Sequence, residues 1–358
     1  MNHITSIQEK LIERGLDALL ITDEKNQRYA TGFAFTDGYV LVAQRRAWLL
    51  TDSRYIEAAE KAVDASLITV RMFDRQRGRS ALLCEALKEA GVEKLGAEEQ
   101  KLSHGEYLGL EKLTGLTLCP AQSILSELRA GKTEEEIDCM IRAQRISEAA
   151  LEETLQIIRP GMTEREVAAE LVYRMLRHGS EGNSFDPIVV TGANGSMPHG
   201  VPGDTVIREG DFITMDFGCL KYGYCSDMTR TVAVGHATDE MKNVYYTVLK
   251  AQLAGIAAAR PGVKGKEIDG AARRVIEEAG YGAYFGHGFG HCLGLDIHEP
   301  PFAGPSGEVP MPVNCLSSAE PGIYIPGKFG VRIEDVMILR PEDAEVITKA
   351  PKMELIIL

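Results

Sequence analysis

Ile213-Thr214-Met215-Asp216 and, shortly after it, Tyr224-Cys225-Ser226-Asp227-Met228-Thr229-Arg230-Thr231 are two strand-like runs, each carrying one aspartate. A short hairpin between them would bring Asp216 and Asp227 together. Two carboxylates a few ångströms apart repel, and one is driven toward protonation unless a cation supplies the counter-charge. The alternative is a solvated hairpin with two ordinary acids. Residues further along the chain decide between these readings.

Downstream lies the densest histidine cluster in the chain, Gly286-His287-Gly288-Phe289-Gly290-His291-Cys292-Leu293-Gly294-Leu295-Asp296-Ile297-His298-Glu299-Pro300-Pro301. Its glycines allow close backbone approach, and neutral imidazole is a common metal ligand, so a ligand or acid–base role competes with that of core histidines. The zincin helix is excluded, because prolines and Phe302 follow His298-Glu299 where a second histidine would be needed. Two glutamates sit in apolar, strand-like settings: Glu320 in Ala319-Glu320-Pro321-Gly322-Ile323-Tyr324, and Glu334 in Val331-Arg332-Ile333-Glu334-Asp335-Val336. Buried acids need partners, and Arg332 could serve Glu334 as a structural ion pair. Taken together, four carboxylates and one imidazole form an oxygen-rich set suited to Mn²⁺-like ions, and they are too many for one catalytic ion with an open position. Asp216-Phe217-Gly218 matches the kinase metal-binding tripeptide, but no His-Arg-Asp loop or Gly-rich loop before a Val-Ala-x-Lys strand accompanies it.

The rest of the chain frames this site. A length of 358 residues predicts two domains, and 44% hydrophobic with 25% charged residues is the balance of a globular chain with a sizeable core. A formal charge of -13 without a Lys/Arg run argues against a nucleic-acid partner. No stretch is long and apolar enough to span a bilayer and no apolar leader opens the chain, so the expectation is a cytoplasmic protein with no membrane partner. The seven cysteines include no Cys-x-x-Cys pair and are expected to be free thiols.

In the first third, helical patterns at residues 4–13, 55–63 and 80–90 alternate with strand-like runs at 18–22, 39–43 and 47–51, an α/β signature. Leu128-Arg129-Ala130-Gly131 closes a helix. Two capping boxes follow, Thr133-Glu134-Glu135-Glu136 and Thr163-x-x-Glu166, predicting helices over about 133–158 and from 163 to near Gly179. Strands are then expected at 188–191, 212–217 and 225–234, with helices at 240–259 and 265–279. The catalytic half reads as α+β, with helices followed by Gly-rich strands in each half but no demonstrable repeat.

These residues resemble the metal-dependent pita-bread peptidases, the group of Xaa-Pro aminopeptidases, prolidases and methionine aminopeptidases, and most of all the Xaa-Pro branch. Asp216, Asp227, His291, Glu320 and Glu334 match the family's five-ligand order. Arg129-x-x-Lys132-Thr133-x-Glu135-Glu136-Ile137, Ser184-Phe185-Asp186 and Pro198-His199-Gly200 look like further parts of its catalytic domain, and Asn26-x-x-Tyr29-x-Thr31-Gly32-Phe33 and Thr51-Asp52-x-Arg54-Tyr55 are similar to the N-terminal domain of that branch. Cys292 after the ligand histidine and Asn314-Cys315-Leu316-Ser317-Ser318 before Glu320 depart from the usual pattern.

The resemblance implies an α/β N-terminal domain of creatinase/prolidase type over residues 1–130 and a pita-bread catalytic domain over 131–358. It implies a metallo-exopeptidase that hydrolyses Xaa-Pro bonds with a hydroxide held between two divalent ions, manganese first, with cobalt or zinc as alternatives. Asp216, Asp227 and Glu334 would hold one ion; His291 and Glu320, with the shared Asp227 and Glu334, the other. Glu320 would also shuttle the proton, His199 and His298 would stabilise the oxyanion and grip the substrate, and Arg332 would orient or contact the leaving proline. His287 would steady its neighbours at the substrate side, and Phe185 and Tyr324 are candidates for the proline pocket. Proline-containing peptides are the implied partners and a homodimer the implied assembly. A metal-free creatinase-like hydrolase and a non-catalytic binding protein on the same scaffold are the rival readings; neither needs all five ligand positions.

Overall fold

The computed structural model describes all 358 residues, which divide into two compact units, Met1–Arg129 and Ala130–Leu358. The first unit is built on a six-stranded mixed sheet. Its strands run in the spatial order Ile68–Met72, Arg46–Thr51, Tyr39–Ala43, Ala18–Ile21, Leu95–Ala97 and Leu118–Pro120. Ala18–Ile21 is buried along its whole length, as its unbroken apolar run requires of a central strand. The helix Ile4–Arg14 stops at Gly15, whose φ of 63° closes the C-terminus in the left-handed region.

The second unit pairs helices with sheets twice over. Glu134–Leu155 and Glu164–Arg177 start at the two expected capping boxes, with Thr133 and Thr163 accepting from the backbone of Glu136 and Glu166 and those glutamates bonding back. They share an apolar core with the antiparallel strands Ile188–Thr191, Phe212–Phe217 and Met228–Ala233, packing Val167, Leu171 and Met175 against Val189, Ile213 and Met215. Asp239–Ala258 and Gly265–Glu278 share a second core with a five-stranded sheet, ordered Glu299–Ala303, Gly290–Cys292, Leu316–Ala319, Asp335–Leu339 and Ala344–Val346. A two-stranded ribbon, Gly322–Ile325 with Phe329–Arg332, completes the unit.

Two elements differ from the sequence expectation in ways that matter. The first long helix ends at Leu155, short of residue 158, and past it the amide of Ile157 makes a tighter bond to the carbonyl of Thr154, three residues back. The expected strand over 225–234 is split into Tyr224–Cys225 and Met228–Ala233. Ser226 leaves the ladder to bond Cys219 and Ser147, and the amide of Asp227 turns to Gln144 Oε1 at 3.4 Å. The break frees Asp227 from a regular register and turns it into the interior.

Candidate metal centre

The hairpin that carries the two aspartates sets Asp216 opposite Thr229, with Asp227 just before the returning strand. From the other sheet comes His291, in Gly290–Cys292, where a Cβ on Gly290 would stand 2.1 Å from the carbonyl oxygen of Ser318. Only glycine lets that strand approach closely enough to present His291. Glu320 follows the strand Leu316–Ala319, with its amide donating to the carbonyl of Phe289 at 2.8 Å. Glu334 sits between the last two long strands, its amide bonded to the carbonyl of Thr229 at 3.1 Å.

These elements converge. One ligand atom from each of Asp227, His291 and Glu334 lies within 4.8 Å of the others, and all three residues are buried. His291 Nε2 stands 3.5 Å from Asp227 Oδ2 and 3.3 Å from Glu320 Oε1. Arg332 ties Asp216 to the same cluster, its Nη2 donating to Asp216 Oδ2 at 2.5 Å.

The electrostatics of this packing are unfavourable as they stand. Burial, followed by the charges of Asp216 and Glu320, raises the carboxyl of Asp227 well above its ordinary range. Burial and then Asp227 do the same to Glu334, and Glu320 is pushed up to about 7, burial again the largest cause. Desolvation lowers the pKa of His291, so its ring is neutral. Its Nδ1 lies 3.1 Å from the carbonyl of Cys292; with the proton on that nitrogen, the Nε2 lone pair faces the carboxylates.

A cation fits this environment. Asp216 Oδ1, Asp227 Oδ1 and Glu334 Oε1 are buried and have no hydrogen-bond partner. Three orphaned carboxylate oxygens in one interior would each carry a large desolvation cost, and divalent ions are the counter-charge that removes it. The donors, mostly carboxylate oxygens with one imidazole, suit Mn²⁺-like ions.

The remaining sequence candidates fall into two groups. His287 and Tyr324 join the site through one chain of bonds. Burial lowers the pKa of His287 to about 4, leaving the ring neutral, and its Nδ1 lies 2.9 Å from the carbonyl of Gly288. Its Nε2 therefore accepts from Tyr324 Oη at 2.9 Å, and that oxygen accepts from Arg332 Nη1 at 2.9 Å. Arg332 also donates from Nε to Thr229 Oγ1 at 3.0 Å and is only 3% exposed. His298 stacks edge-on against His291 with ring centroids 4.3 Å apart and is exposed on its other side. His199, also exposed, is close enough for its charge to lower the pKa of His287 and His298. Phe185 is half-buried between the strands Gly182–Asn183 and Ile188–Thr191, outside the bonded chain that joins His287 to Tyr324.

Residues not read from the sequence complete the arrangement. Thr229 Oγ1 donates to Glu334 Oε2 at 2.7 Å while accepting from Arg332, and Ser318 Oγ accepts from the amide of His291 and donates to Glu320 Oε1, both at 3.0 Å. Ser318 lies two positions before Glu320, which it bonds, and the period-two rule that puts such neighbours on one face is the signal that would have found it. Thr229 bonds Glu334 from a distant strand and gave no local signal.

Comparison with known proteins fits this geometry to a family. Residues 138–341 match metallopeptidase family M24, and residues 3–130 match the creatinase/prolidase N-terminal domain. The chain belongs to metallopeptidase family M24. Its fold is accordingly a creatinase/prolidase N-terminal domain followed by the M24 pita-bread domain. A solved Xaa-Pro dipeptidase from Bacillus anthracis is 41% identical, with a TM-score of 0.94 and 99% of each chain covered. An X-Pro aminopeptidase structure from Thermotoga maritima is 36% identical, with a TM-score of 0.92, covering 98% of this chain and 99% of that one. Among curated relatives, the Xaa-Pro dipeptidase of Pyrococcus horikoshii is 34% identical over 98% of this chain and 97% of its own length. As an M24 member the chain is a metal-dependent peptidase, and none of its helices is long and apolar enough to cross a membrane.

Proposed function

We propose that this M24 peptidase hydrolyses the bond between an N-terminal residue and proline, using two divalent ions, manganese by preference, in a cytoplasmic homodimer. The observation that carries the reading is the buried cluster of Asp227, His291 and Glu334, with Asp216 and Glu320 beside it and three unsatisfied carboxylate oxygens. The choice of bond rests on relatives that are themselves Xaa-Pro dipeptidases and an X-Pro aminopeptidase.

Asp216, Asp227, His291, Glu320 and Glu334 would hold the ions. When bound, such cations acidify water into a nucleophile at neutral pH and polarise the scissile carbonyl. Glu320 takes up the proton and returns it to the leaving nitrogen. The prolyl nitrogen carries no hydrogen of its own, so it must be protonated to depart. His199 and His298 donate to the developing oxyanion and hold the substrate backbone. Arg332 fixes Asp216 and, through Tyr324, His287; Phe185, His287 and Tyr324 flank the proline ring.

The test is the release of proline from Ala-Pro and from Ala-Pro-Ala with Mn²⁺, beside Ala-Ala as control. Cleavage only before proline supports the reading, and the ratio of dipeptide to tripeptide rates separates a dipeptidase from an aminopeptidase. Equal cleavage of Ala-Ala, or none of the proline peptides by metal-loaded protein, would overturn it.

A further inference from the structure

Glu164 is a buried carboxylate outside both the metal cluster and any ion pair. It is the first residue of the helix Glu164–Arg177. Its Oε1 accepts from the amide of Thr191 at 2.8 Å and from Asn194 Nδ2 at 3.0 Å, while its Oε2 accepts from the amide of Gly203 at 3.0 Å. Thr191 and Gly203 are the two ends of the segment that carries His199. One side chain thus clasps both feet of that segment.

Its ends are also tied by backbone pairing, Thr191 with Ile213 in the strand ladder and the carbonyl of Gly203 accepting from the amide of Arg165 at 3.0 Å, but between those ends little holds the segment. Its apolar side chains face solvent, Met197 being 50% and Val201 84% exposed, so burial of apolar surface does not fix its course. The short helical turn Gly192–Ser196 rests instead on the ribbon strand Phe329–Arg332, where a Cβ on Gly330 would stand 2.0 Å from the carbonyl oxygen of Gly195. Arg332 Nη1 reaches the carbonyl of Pro198 at 3.4 Å. An apolar residue would cost less than a carboxylate at the position of Glu164 if filling space were its whole task. The bonds its carboxylate makes are all to the His199 segment.

We propose that Glu164 is a positioning residue that acts on the reaction through His199, by holding both ends of residues 191–203 in register with the metal centre. The proposal rests on the role given to His199 above. A glutamine at 164 keeps the shape and one acceptor oxygen but turns the other end into a donor, which cannot accept from Gly203. Positioning losses of this kind reach about a hundredfold when a reacting group moves by about an ångström.

The experiment compares wild type, Glu164→Gln, His199→Ala and the double variant as Mn²⁺-loaded proteins on Ala-Pro, with kcat, KM, metal content and thermal midpoint recorded for each. The expectation is that Glu164→Gln lowers kcat by about ten- to a hundredfold at unchanged metal content, yet by less than about twofold when His199 is already alanine. Equal factors in both backgrounds would overturn the proposal while leaving His199 its role. A His199→Ala variant with wild-type kcat and KM would instead overturn the His199 reading, and the proposal with it. Should Glu164→Gln fail to fold, Asn194→Ala removes one of the same ties from a less buried position. It is expected to lower kcat by about three- to tenfold with the same non-additivity toward His199→Ala; independent effects would again overturn the proposal.

Discussion

Arg332 donates to one oxygen of Asp216 at 2.5 Å, while the other oxygen of the same carboxylate is buried without a partner. The guanidinium thus aims Asp216, with Oδ1 the oxygen that the proposed function gives to a cation, and it donates in turn to Thr229, Tyr324 and the carbonyl of Pro198. Lysine keeps the charge but has no planar fork with which to serve these acceptors together. Arg332→Lys is expected to retain bound metal and to lose about ten- to a hundredfold in kcat, as variants that disorient a metal ligand do. Metal analysis beside steady-state kinetics checks this; a kcat within twofold of wild type would remove Arg332 from the account.

Glu320 is the proton carrier in this account, and its burial raises its pKa to about 7. Removing a general acid–base group costs about 10²- to 10⁴-fold, and the loss of a ligand adds to it. Glu320→Ala is therefore expected to be close to inactive on Ala-Pro while its thermal midpoint stays at or above that of EDTA-treated wild type, because an unfavourably buried carboxyl has been removed. Substantial turnover by the metal-replete variant would contradict the assigned role.

Stability should depend on pH in opposite ways with and without metal. The carboxyls of Asp227, Glu320 and Glu334 are raised in the folded protein, so their contribution is fully present below the ordinary carboxylate range and is lost as pH climbs, for Glu320 from 4.5 through about 7. His287, His291 and His298 are shifted down, so theirs is present above their ordinary 6.5 and lost as pH falls below it. Above about pH 6.5 only the carboxyl effect continues to grow. EDTA-treated protein should thus lose thermal stability between pH 6.5 and 8, while ions that bind the ionised carboxylates reverse the loss. The gap in melting temperature between Mn²⁺-loaded and stripped protein is expected to widen with pH over that window; a constant or narrowing gap would speak against the carboxylate cluster as the binding site.

Lys132 and Glu299 form an ion pair at 3.0 Å with both side chains almost wholly buried, and Glu299 also accepts from the amide of Asp296. It braces the turn that presents His298. Replacing one partner leaves the other charge uncompensated, and Lys132→Met is expected to cost about 3–5 kcal/mol of unfolding free energy. Urea denaturation with the metal-loaded protein measures it, and a loss below about 1 kcal/mol would show that solvent reaches Glu299.

What the sequence made legible were features with strong local chemistry. Thr133 and Thr163 announce their helices because a capping box satisfies backbone donors within one turn. Asp216, Asp227, His291, Glu320 and Glu334 stand out because acids and histidines in apolar strands demand an explanation. The helix His104–Thr114 escaped notice because only Leu110 of it is buried, so its hydrophobic period is faint. The break at Ser226-Asp227 depends on bonds to Gln144 and Ser147, distant in sequence and invisible to any local pattern. Arg332 illustrates the same limit: its adjacency to Glu334 suggested an ion pair with that residue, whereas in the fold it serves Asp216 and bonds Glu334 only by way of Thr229.

The central claim is that the buried carboxylates and His291 exist to hold catalytic cations. It is tested most directly by titrating EDTA-stripped protein with Mn²⁺ in a calorimeter while sampling the same solution for cleavage of Ala-Pro. Two ions bound per chain, protons released on binding, and activity rising with occupancy are the results expected. Full activity in the stripped protein, or Ala-Pro cleavage that does not follow metal occupancy, would contradict it.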